Sequence, residues 1–187
     1  MTPAQSTPPR VTGRRTKTSV TIVAYASLAT RFGRFGLFGT RLGLLSVTLP
    51  NESREAAEAR LRRILGDVEF MDDPESLVEA LEQLETYADG TRRSFDLTLD
   101  PRGTEFQRAV WDAVYAVEYA QTQTYGDIAR AIGRPAAVRA VGAANGANPL
   151  PVIVPCHRII GSNGTLTGYG GGLDLKEQLL AFERNQG

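Results

Sequence analysis

The chain has 187 residues, 42% hydrophobic and 22% charged, which is the balance of a soluble globular protein with one domain or two small ones. No stretch approaches the roughly 20 apolar residues that a membrane-spanning helix needs, which argues against an integral membrane protein. The net charge is zero, yet residues 1–50 carry seven Lys and Arg and no acid, whereas residues 51–90 carry twelve acids against four Arg. An acidic middle seldom faces DNA, so any nucleic-acid surface is expected elsewhere in the chain.

The N-terminal part of the chain predicts a basic tail followed by a strand-rich domain. Residues 1–18 have too little apolar surface to fold and lack the hydrophobic run of a secretory signal. Residues 19–92 predict an α/β domain, whose first segments are rich in β-branched and aromatic residues and are separated by glycine turns, as in a meander or hairpin. Two amphipathic helices are expected next. The second follows Asp73-Pro74 and repeats Leu77, Leu81, Leu84 and Ala88 at helical spacing.

A second domain is expected over residues 101–187. Residues 93–100 alternate like one more strand or an extended linker, and Pro101-Arg102-Gly103 marks the boundary. Apolar residues at i, i+3 and i+4 spacing then predict a helix from Thr104 to Val117. The expected fold class is therefore α+β, with a strand-rich α/β domain followed by a mainly helical domain.

A helix-turn-helix is predicted inside this second domain. Thr124 is a good N-cap with Asp127 three residues later, which indicates the start of a short helix that Gly133 ends. Two short helices joined by three or four residues that include a glycine are typical of this motif.

The second helix of the motif is expected over residues 136–144, with Pro135 in its first turn. Arg139 lies off the apolar stripe of this helix and is expected to project outward. The inward face is expected to consist of Val138, Val141 and Gly142.

The rest of the chain predicts a buried run, a hairpin and a last helix. Pro151 to Pro155 are apolar and are expected to be buried, and Asn163-Gly164 indicates a hairpin turn. In the last helix, the residues expected to face the core are Leu175, Leu179 and Phe182.

The only cysteine and the only histidine of the chain are neighbours, Cys156 and His157. A Cys/His metal site needs three or four ligands, so we expect neither a metal nor a cofactor. A single cysteine cannot form an internal disulfide, which agrees with a reducing compartment. An inert core cysteine is the ordinary alternative for a lone Cys. The flanking His157 and Arg158 favour a nucleophile instead, because nearby basic groups promote the thiolate.

The geometry of this pair limits how the two side chains can cooperate. Neighbours in an extended segment point to opposite sides, so His157 is not expected to contact the Cys156 sulfur directly. A water molecule that passes the proton from the sulfur to the imidazole is the simplest arrangement that allows the two side chains to cooperate.

The segment Val154–Ile159, Val-Pro-Cys-His-Arg-Ile, resembles the active-site signature of the O6-methylguanine-DNA methyltransferases. The resemblance extends over about residues 93–184, whereas residues 1–92 match only in outline. The further segments that fall at the family's spacing are Gly103–Gln107, Thr124–Ala129, Arg139–Gly142, Asn148-Pro149, Gly168–Leu173, Lys176-Glu177 and Phe182-Glu183.

The resemblance implies a part for each matching residue. Cys156 would be the nucleophile and alkyl acceptor, and His157 would act as base through a bound water, with Glu183 orienting the imidazole. Tyr125 would crowd the phosphate and hydrogen-bond a flipped guanine, and Arg139 would replace the extruded base in the stack. Without the cysteine downstream, the same Glu183, Tyr125 and Arg139 would be interpreted as a solvated helix residue, a half-buried aromatic and a surface charge.

The resemblance also implies a wider DNA surface and a substrate pocket. Asn148 would hold the turn before the active-site segment, and Tyr169 with its neighbouring glycines would form the pocket wall. Gly170 stands where many members have Ser, which leaves the preferred alkyl size open. The remaining implied DNA contacts are Gln123, Thr124, Ala140 and Gly142, and the remaining implied pocket residues are Val154, Pro155 and Arg158.

The function implied is direct DNA repair. After base flipping, the alkyl group of O6-alkylguanine, and of O4-alkylthymine as a second substrate, would pass irreversibly to Cys156, once per chain. The partner would be double-stranded DNA, and the protein a cytoplasmic, nucleoid-associated monomer. The alternatives are a lesion-binding alkyltransferase-like protein without transfer, a helix-turn-helix DNA-binding regulator, and a cysteine hydrolase.

Overall fold

The computed structural model describes residues 20–186, so the expected tail over 1–18 lies outside the described residues. The N-terminal half, here residues 20–100, is built on a four-stranded sheet. The strands are β1 (Thr21–Thr30), β2 (Gly33–Thr40), β3 (Gly43–Thr48) and β4 (Val68–Asp72). Their order in the sheet is β3-β2-β1-β4. The first three strands form the predicted antiparallel meander, and β4 pairs parallel with β1. Strand β4 was not predicted; it is short and lies between two helices in the acidic part of the chain.

The sheet packs a helix against each face, because successive strand residues point to opposite sides. Helix α1 (Arg54–Leu65) is capped by Ser53 and buries Ala57 and Leu61 against one face. Helix α2 (Val78–Ala88), entered through a 3₁₀ turn at Glu75–Leu77, packs against the other face.

Residues 93–100 run extended beside β3 without forming a regular strand. Leu44 donates its N–H to the Thr98 carbonyl at 2.8 Å and accepts the N–H of Asp100 at 2.8 Å. Gly43 has a φ of +137°, and a Cβ there would lie 2.4 Å from the Thr98 oxygen. Only glycine therefore allows the linker to come this close to the strand.

The C-terminal half, residues 101–186, is mainly helical, so the predicted α+β class is confirmed. Its helices are α3 (Glu105–Tyr115), α4 (Tyr125–Ala131), α5 (Val138–Gly146) and α6 (Leu173–Gln186). Thr104 with Gln107 and Thr124 with Asp127 form capping boxes that begin α3 and α4. Two short strands, β5 (Gln123–Thr124) and β6 (Ile159–Ile160), pair parallel beside them.

The helix-turn-helix differs from the prediction at its turn. The Ala137 N–H bonds to the Arg134 carbonyl at 2.9 Å and closes a separate turn, so α5 begins at Val138 and the connection has six residues, 132–137. Val138 is 40% exposed, and the prediction that it faces inward is wrong. The buried face of α5 consists of Val141, Ala144 and Asn145.

The predictions for the buried run, the hairpin and the last helix are confirmed only in part. The run from Pro151 to Pro155 is buried, as predicted. Asn163-Gly164 forms a turn, with Gly164 N–H bonded to the Gly161 carbonyl at 2.9 Å, but no hairpin follows, because β6 pairs with β5 instead. On α6, Phe182 is only half-buried, and the buried positions are Leu175, Lys176, Leu179, Leu180 and Glu183.

One hydrophobic cluster joins the two halves of the molecule. It contains Leu84 and Tyr87 of α2 together with Trp111 of α3, Val141 of α5 and Leu179 of α6. The active-site segment is thus held by a core to which both halves contribute. None of the helices within residues 20–186 has the length and hydropathy to cross a bilayer.

Candidate active site

Cys156 lies at the start of a one-turn 3₁₀ helix, Cys156–Arg158, directly after the buried run. The expectation of an extended segment here is wrong, because the Arg158 N–H bonds back to the Pro155 carbonyl at 2.9 Å. With three residues per 3₁₀ turn, successive side chains still diverge, by about 120°. Cys156 lines a cleft, whereas His157 and Arg158 contact Glu183 of α6.

The Glu183 carboxylate is fully buried and accepts five hydrogen bonds. Its Oε1 accepts from His157 Nε2 at 2.9 Å, from Arg158 Nη2 at 2.8 Å and from the Tyr87 hydroxyl at 2.7 Å. Its Oε2 accepts from Arg158 Nε at 2.9 Å and from the Ala120 N–H at 3.2 Å. Burial alone would raise the pKa of Glu183, but the hydrogen bonds and charges of His157 and Arg158 hold it well below its usual range. The carboxylate is therefore ionised.

The contact with an ionised carboxylate assigns the tautomer of His157. Glu183 can only accept, so Nε2 carries the proton and Nδ1 offers a lone pair. Nδ1 is buried and has no hydrogen-bond partner among residues 20–186. Burial lowers the pKa of His157, an effect that Glu183 only partly offsets. The imidazole is thus neutral at neutral pH and can accept a proton at Nδ1.

Cys156 is a protonated thiol in the resting protein. Burial raises its pKa to about 11, and the nearby Asn148 amide and the charge of Lys176 offset only part of that rise. Lys176 is itself fully buried and donates Nζ to the carbonyls of Ile159 at 2.6 Å and Thr167 at 2.9 Å. A thiol with so high a pKa needs a base when it attacks.

A cleft of about 340 Å³ opens onto Cys156. Among the predicted pocket residues, Asn148, Tyr169 and Gly170 line this cleft. The other lining residues are Val47, Leu49, Asn51, Glu52, Arg60, Asn145, Gly146, Ala147, Pro151 and Gly168.

Three residues implied as pocket residues do not line the cleft. The Arg158 guanidinium is bound by Glu183 and by the Val117 carbonyl at 2.7 Å, so it lies behind the active-site turn. Val154 and Pro155 are buried in the run that enters this turn. Their contribution is to support the backbone of Cys156.

Asn148 connects α5 to the active-site segment. Its Nδ2 donates to the Val154 carbonyl at 2.8 Å, and its Oδ1 accepts the Leu150 N–H at 3.0 Å. These two bonds hold a chain reversal in which Val152 has a φ of +74°, a conformation that is costly for a β-branched residue. The turn is therefore held in place by side-chain hydrogen bonds.

One wall of the cleft comes from the N-terminal half and was not predicted from the sequence. Asn51 Nδ2 donates to the Gly170 carbonyl at 2.8 Å, and Leu49 Cδ1 would lie 3.7 Å from a Cβ on Gly170. Arg60 braces this wall through a paired contact with Glu52, at 3.2 and 3.3 Å. No motif or periodicity in the sequence links these residues to the cleft.

The helix-turn-helix presents Arg139 and Ala140 as exposed residues at the start of α5. Arg139 makes no salt bridge or side-chain hydrogen bond to any residue in 20–186. Asn145 and Gly146, at the other end of α5, line the cleft. From Arg139 to Asn145 the helix rises roughly 9 Å, so a single rigid element connects the exposed arginine to the site of Cys156.

The other predicted DNA contacts lie at the start of α4 and at Gly142 of α5. Tyr125 is half-buried at the first turn of α4, with its hydroxyl 3.3 Å from Thr167 Oγ1 and its ring against Gly142. Gln123 is exposed. The Thr124 hydroxyl donates to Asp127 Oδ2 at 2.6 Å and accepts the Asp127 N–H at 3.1 Å, so its proton is engaged in the capping box.

Within the described part of the chain, no group of three or more His, Cys, Asp or Glu side chains could hold a metal ion. The acidic and basic groups of the site are instead paired with one another around Glu183.

Comparisons with known proteins agree on one family. Residues 105–185 match the family model described as 6-O-methylguanine DNA methyltransferase, DNA binding domain. An inducible methylated-DNA–protein-cysteine methyltransferase of Bacillus subtilis is 43% identical over 151 residues, 80% of this chain and 84% of that protein. The protein of that name from Mycolicibacterium paratuberculosis is 55% identical over 115 residues, 62% of this chain and 70% of the relative.

Solved structures give the same result for the fold. The O6-methylguanine methyltransferase of Mycobacterium tuberculosis is 39% identical, with a TM-score of 0.77 over 88% of this chain and 94% of that one. OGT of the same organism, solved in complex with DNA, matches with the same identity, TM-score and coverage.

Proposed function

The chain belongs to the methylated-DNA–protein-cysteine methyltransferase family, and we propose that it repairs O6-alkylguanine in double-stranded DNA, once per chain, through Cys156. It is an enzyme of direct DNA repair, DNA is its partner, and its reaction is alkyl transfer to a cysteine. The observation that carries the proposal is the placement of the chain's only thiol at the cleft, with a neutral imidazole and an ionised carboxylate behind it.

The transfer is a displacement at the alkyl carbon. The Cys156 sulfur forms a bond to that carbon, while the bond from the carbon to O6 breaks and its electron pair stays on the guanine. The thiol proton passes through a water to His157 Nδ1 and ends on the repaired guanine, which stays in the DNA strand. The products are guanine and a thioether, which water does not hydrolyse under mild conditions, so each chain acts once.

The Glu183–His157 pair removes the thiol proton at the moment when the sulfur attacks the alkyl carbon. A thiol with a pKa of about 11 is almost fully protonated at neutral pH, so attack requires proton removal in the same step. Glu183 stabilises the imidazolium that forms, because its carboxylate is ionised and in contact with Nε2. Asn148 and Lys176 favour the developing thiolate.

The helix-turn-helix is proposed to bring the damaged base to the cleft. The O6 atom is inside a stacked duplex, so the base must be flipped out at a cost of a few kcal/mol. Arg139, exposed and unpaired among residues 20–186, is available to fill the gap. No side chain caps the start of α5, which leaves its N–H groups available for a phosphate. Tyr125 would hydrogen-bond the flipped guanine.

The alternatives are not favoured. A lesion-binding protein without transfer does not need an acceptor thiol in the cleft, and a DNA-binding regulator does not need the buried Glu183–His157 pair. A cysteine hydrolase would be distinguished by repeated turnover on ester or peptide substrates.

We further propose O4-alkylthymine as a second substrate, a monomeric protein and a location with the nucleoid in the cytoplasm. One chain contains the acceptor, the base and the exposed arginine, which supports a monomer. Because the substrate is chromosomal DNA, the enzyme must reach the nucleoid.

The test is the mass of the intact protein after incubation with duplex DNA containing O6-methylguanine. We expect a gain of one methylene per chain, found on the peptide that contains Cys156, and one lesion repaired per chain. A gain on another residue, or several lesions repaired per chain, would contradict the proposal.

A further inference from the structure

A tyrosine of the N-terminal half contacts the catalytic carboxylate directly. The Tyr87 hydroxyl, on α2, donates to Glu183 Oε1 at 2.7 Å across 96 positions of sequence. Tyr87 is 1% exposed, and its ring packs against Phe95 at 5.4 Å and Phe182 at 6.2 Å between centroids. The hydroxyl is therefore held in place by packing that does not involve the active-site segment.

Three donors compete for one oxygen at this point. Oε1 accepts from Tyr87, His157 and Arg158, all within 2.9 Å. A carboxylate oxygen has two lone pairs, so three donors must share it and each bond is weakened by the others. Each additional donor to Oε1 therefore weakens the interaction between the negative charge of Glu183 and the His157 imidazole.

Tyr87 is a donor at all relevant pH values. Burial, together with the Glu183 charge, raises the pKa of Tyr87 well above its ordinary value, so the hydroxyl stays protonated. The other titratable or charged groups near the His157–Glu183 pair are Cys156 and Arg158 of the 3₁₀ turn, Lys176 of α6, Tyr119 before α4 and Tyr169 before α6.

We propose that Tyr87 is a positioning residue of the alkyl transfer, which shares Glu183 Oε1 with His157 and so limits how strongly that carboxylate raises the basicity of the imidazole. A base that is too strong would be protonated at neutral pH and could not accept the thiol proton. The catalytic relay of the C-terminal half is thus tuned by a residue of the N-terminal half. The effect of Tyr87 on the transfer reaction rests on the proposed function of His157 as the base. The hydrogen bond from Tyr87 to Glu183 does not depend on that proposal.

The variant Tyr87→Phe removes the hydroxyl and keeps the ring. Oε1 then has two donors, its interaction with His157 strengthens, and the pKa of His157 rises. A neutral hydrogen bond corresponds to a shift of about half a unit to one unit. Tyr119→Phe is the matched control, because it removes a hydroxyl in the same aromatic cluster that has no hydrogen-bond partner among residues 20–186.

The experiment uses the single histidine of the chain, since ¹⁵N-histidine labelling gives the signals of one imidazole. We expect the titration of His157 to move to higher pH in Tyr87→Phe and to stay in place in Tyr119→Phe. If the protein unfolds before His157 titrates, the Nε2–H proton resonance at neutral pH reports the same bond and is expected to move downfield in Tyr87→Phe only.

A shift of zero or to lower pH in Tyr87→Phe, or an equal shift in both variants, would overturn the inference. The single-turnover rate is measured on the same proteins. Its acid limb is expected to move with the titration of His157. If the pKa of His157 rises in Tyr87→Phe but the pH dependence of the rate does not change, the base function of His157 is refuted. The effect of Tyr87 on the Glu183–His157 contact would still hold.

Discussion

The two halves of this protein contribute to one active site in different ways. The C-terminal half contains the thiol, the imidazole, the carboxylate and the exposed arginine, all within motifs of a few residues. The N-terminal half contains no such motif, yet Tyr87 contacts Glu183 and Asn51 contacts the cleft wall. The reacting groups lie in short sequence motifs of the C-terminal half. The N-terminal half supports these groups through single side-chain contacts, which do not require a motif. The halves should therefore differ in how much one substitution can change the reaction.

The largest effect is expected at the acceptor. Cys156→Ala should abolish alkyl transfer, because the chain has no second thiol, while folding and DNA binding stay close to those of the wild type. Transfer of a labelled alkyl group from duplex DNA measures the first property, and a binding isotherm measures the second. Residual transfer above background would mean that the acceptor lies elsewhere.

The next largest effect is expected at Arg139, and only on duplex DNA. Arg139→Ala should slow repair of a duplex lesion roughly 10- to 1000-fold, since the arginine offsets the cost of unstacking. Reaction with free O6-benzylguanine should hardly change, because a free base has nothing to extrude. Single-turnover rates on both substrates measure this difference.

Arg134→Ala is the matched control for Arg139→Ala, because Arg134 is also exposed and lies in the turn before α5. It should change the salt dependence of binding at most. Equal losses on duplex and free base in Arg139→Ala would indicate a structural function of that residue instead.

A smaller effect is expected on stability in acid. His157 has a folded-state pKa below its unfolded value of about 6.5, so the unfolded state takes up the proton first. Stability is then fully present above pH 6.5 and falls as the pH drops toward the folded pKa, by at most about 1.4 kcal/mol per pH unit. Glu183, whose pKa is also lowered, adds a further loss below about pH 4.5.

Denaturant titrations between pH 7.5 and pH 5 measure this slope. In His157→Gln the slope over that range should disappear, whatever the absolute stability of the variant. An unchanged slope would show that another group takes up the proton.

The smallest effect is expected at the wall from the N-terminal half. Asn51→Ala removes the hydrogen bond to the Gly170 carbonyl, which borders a run of glycines with much conformational freedom. Asn51 is exposed, so the loss should be worth about 1 kcal/mol and lower the transfer rate roughly fivefold. Asn163→Ala, at an exposed turn, is the control. A loss as large as that of Arg139→Ala would mean that a single contact from the N-terminal half affects the reaction as strongly as a residue of the C-terminal motifs.

Local features of the fold were predictable because they depend on residues a few positions apart. The capping boxes of Thr104 and Thr124 bond over three positions, and the β1–β3 meander follows from alternation and glycine turns. By contrast, β4 is five residues long and is defined by its pairing with β1, more than forty positions away, so its own sequence does not identify it. The start of α5 was misplaced because the competing turn at Arg134 depends on backbone geometry.

The sequence by itself determined which atoms are available to react, since one thiol and one imidazole stand side by side in a motif. The tertiary structure decided how those atoms are used. It buried the thiol and raised its pKa to about 11, directed Arg158 to Glu183 and away from the cleft, and brought Tyr87 and Asn51 to the site across 96 and 119 positions. Burial and long-range contacts are properties of the packed chain, because solvation and charge depend on neighbours in space and not on neighbours in sequence.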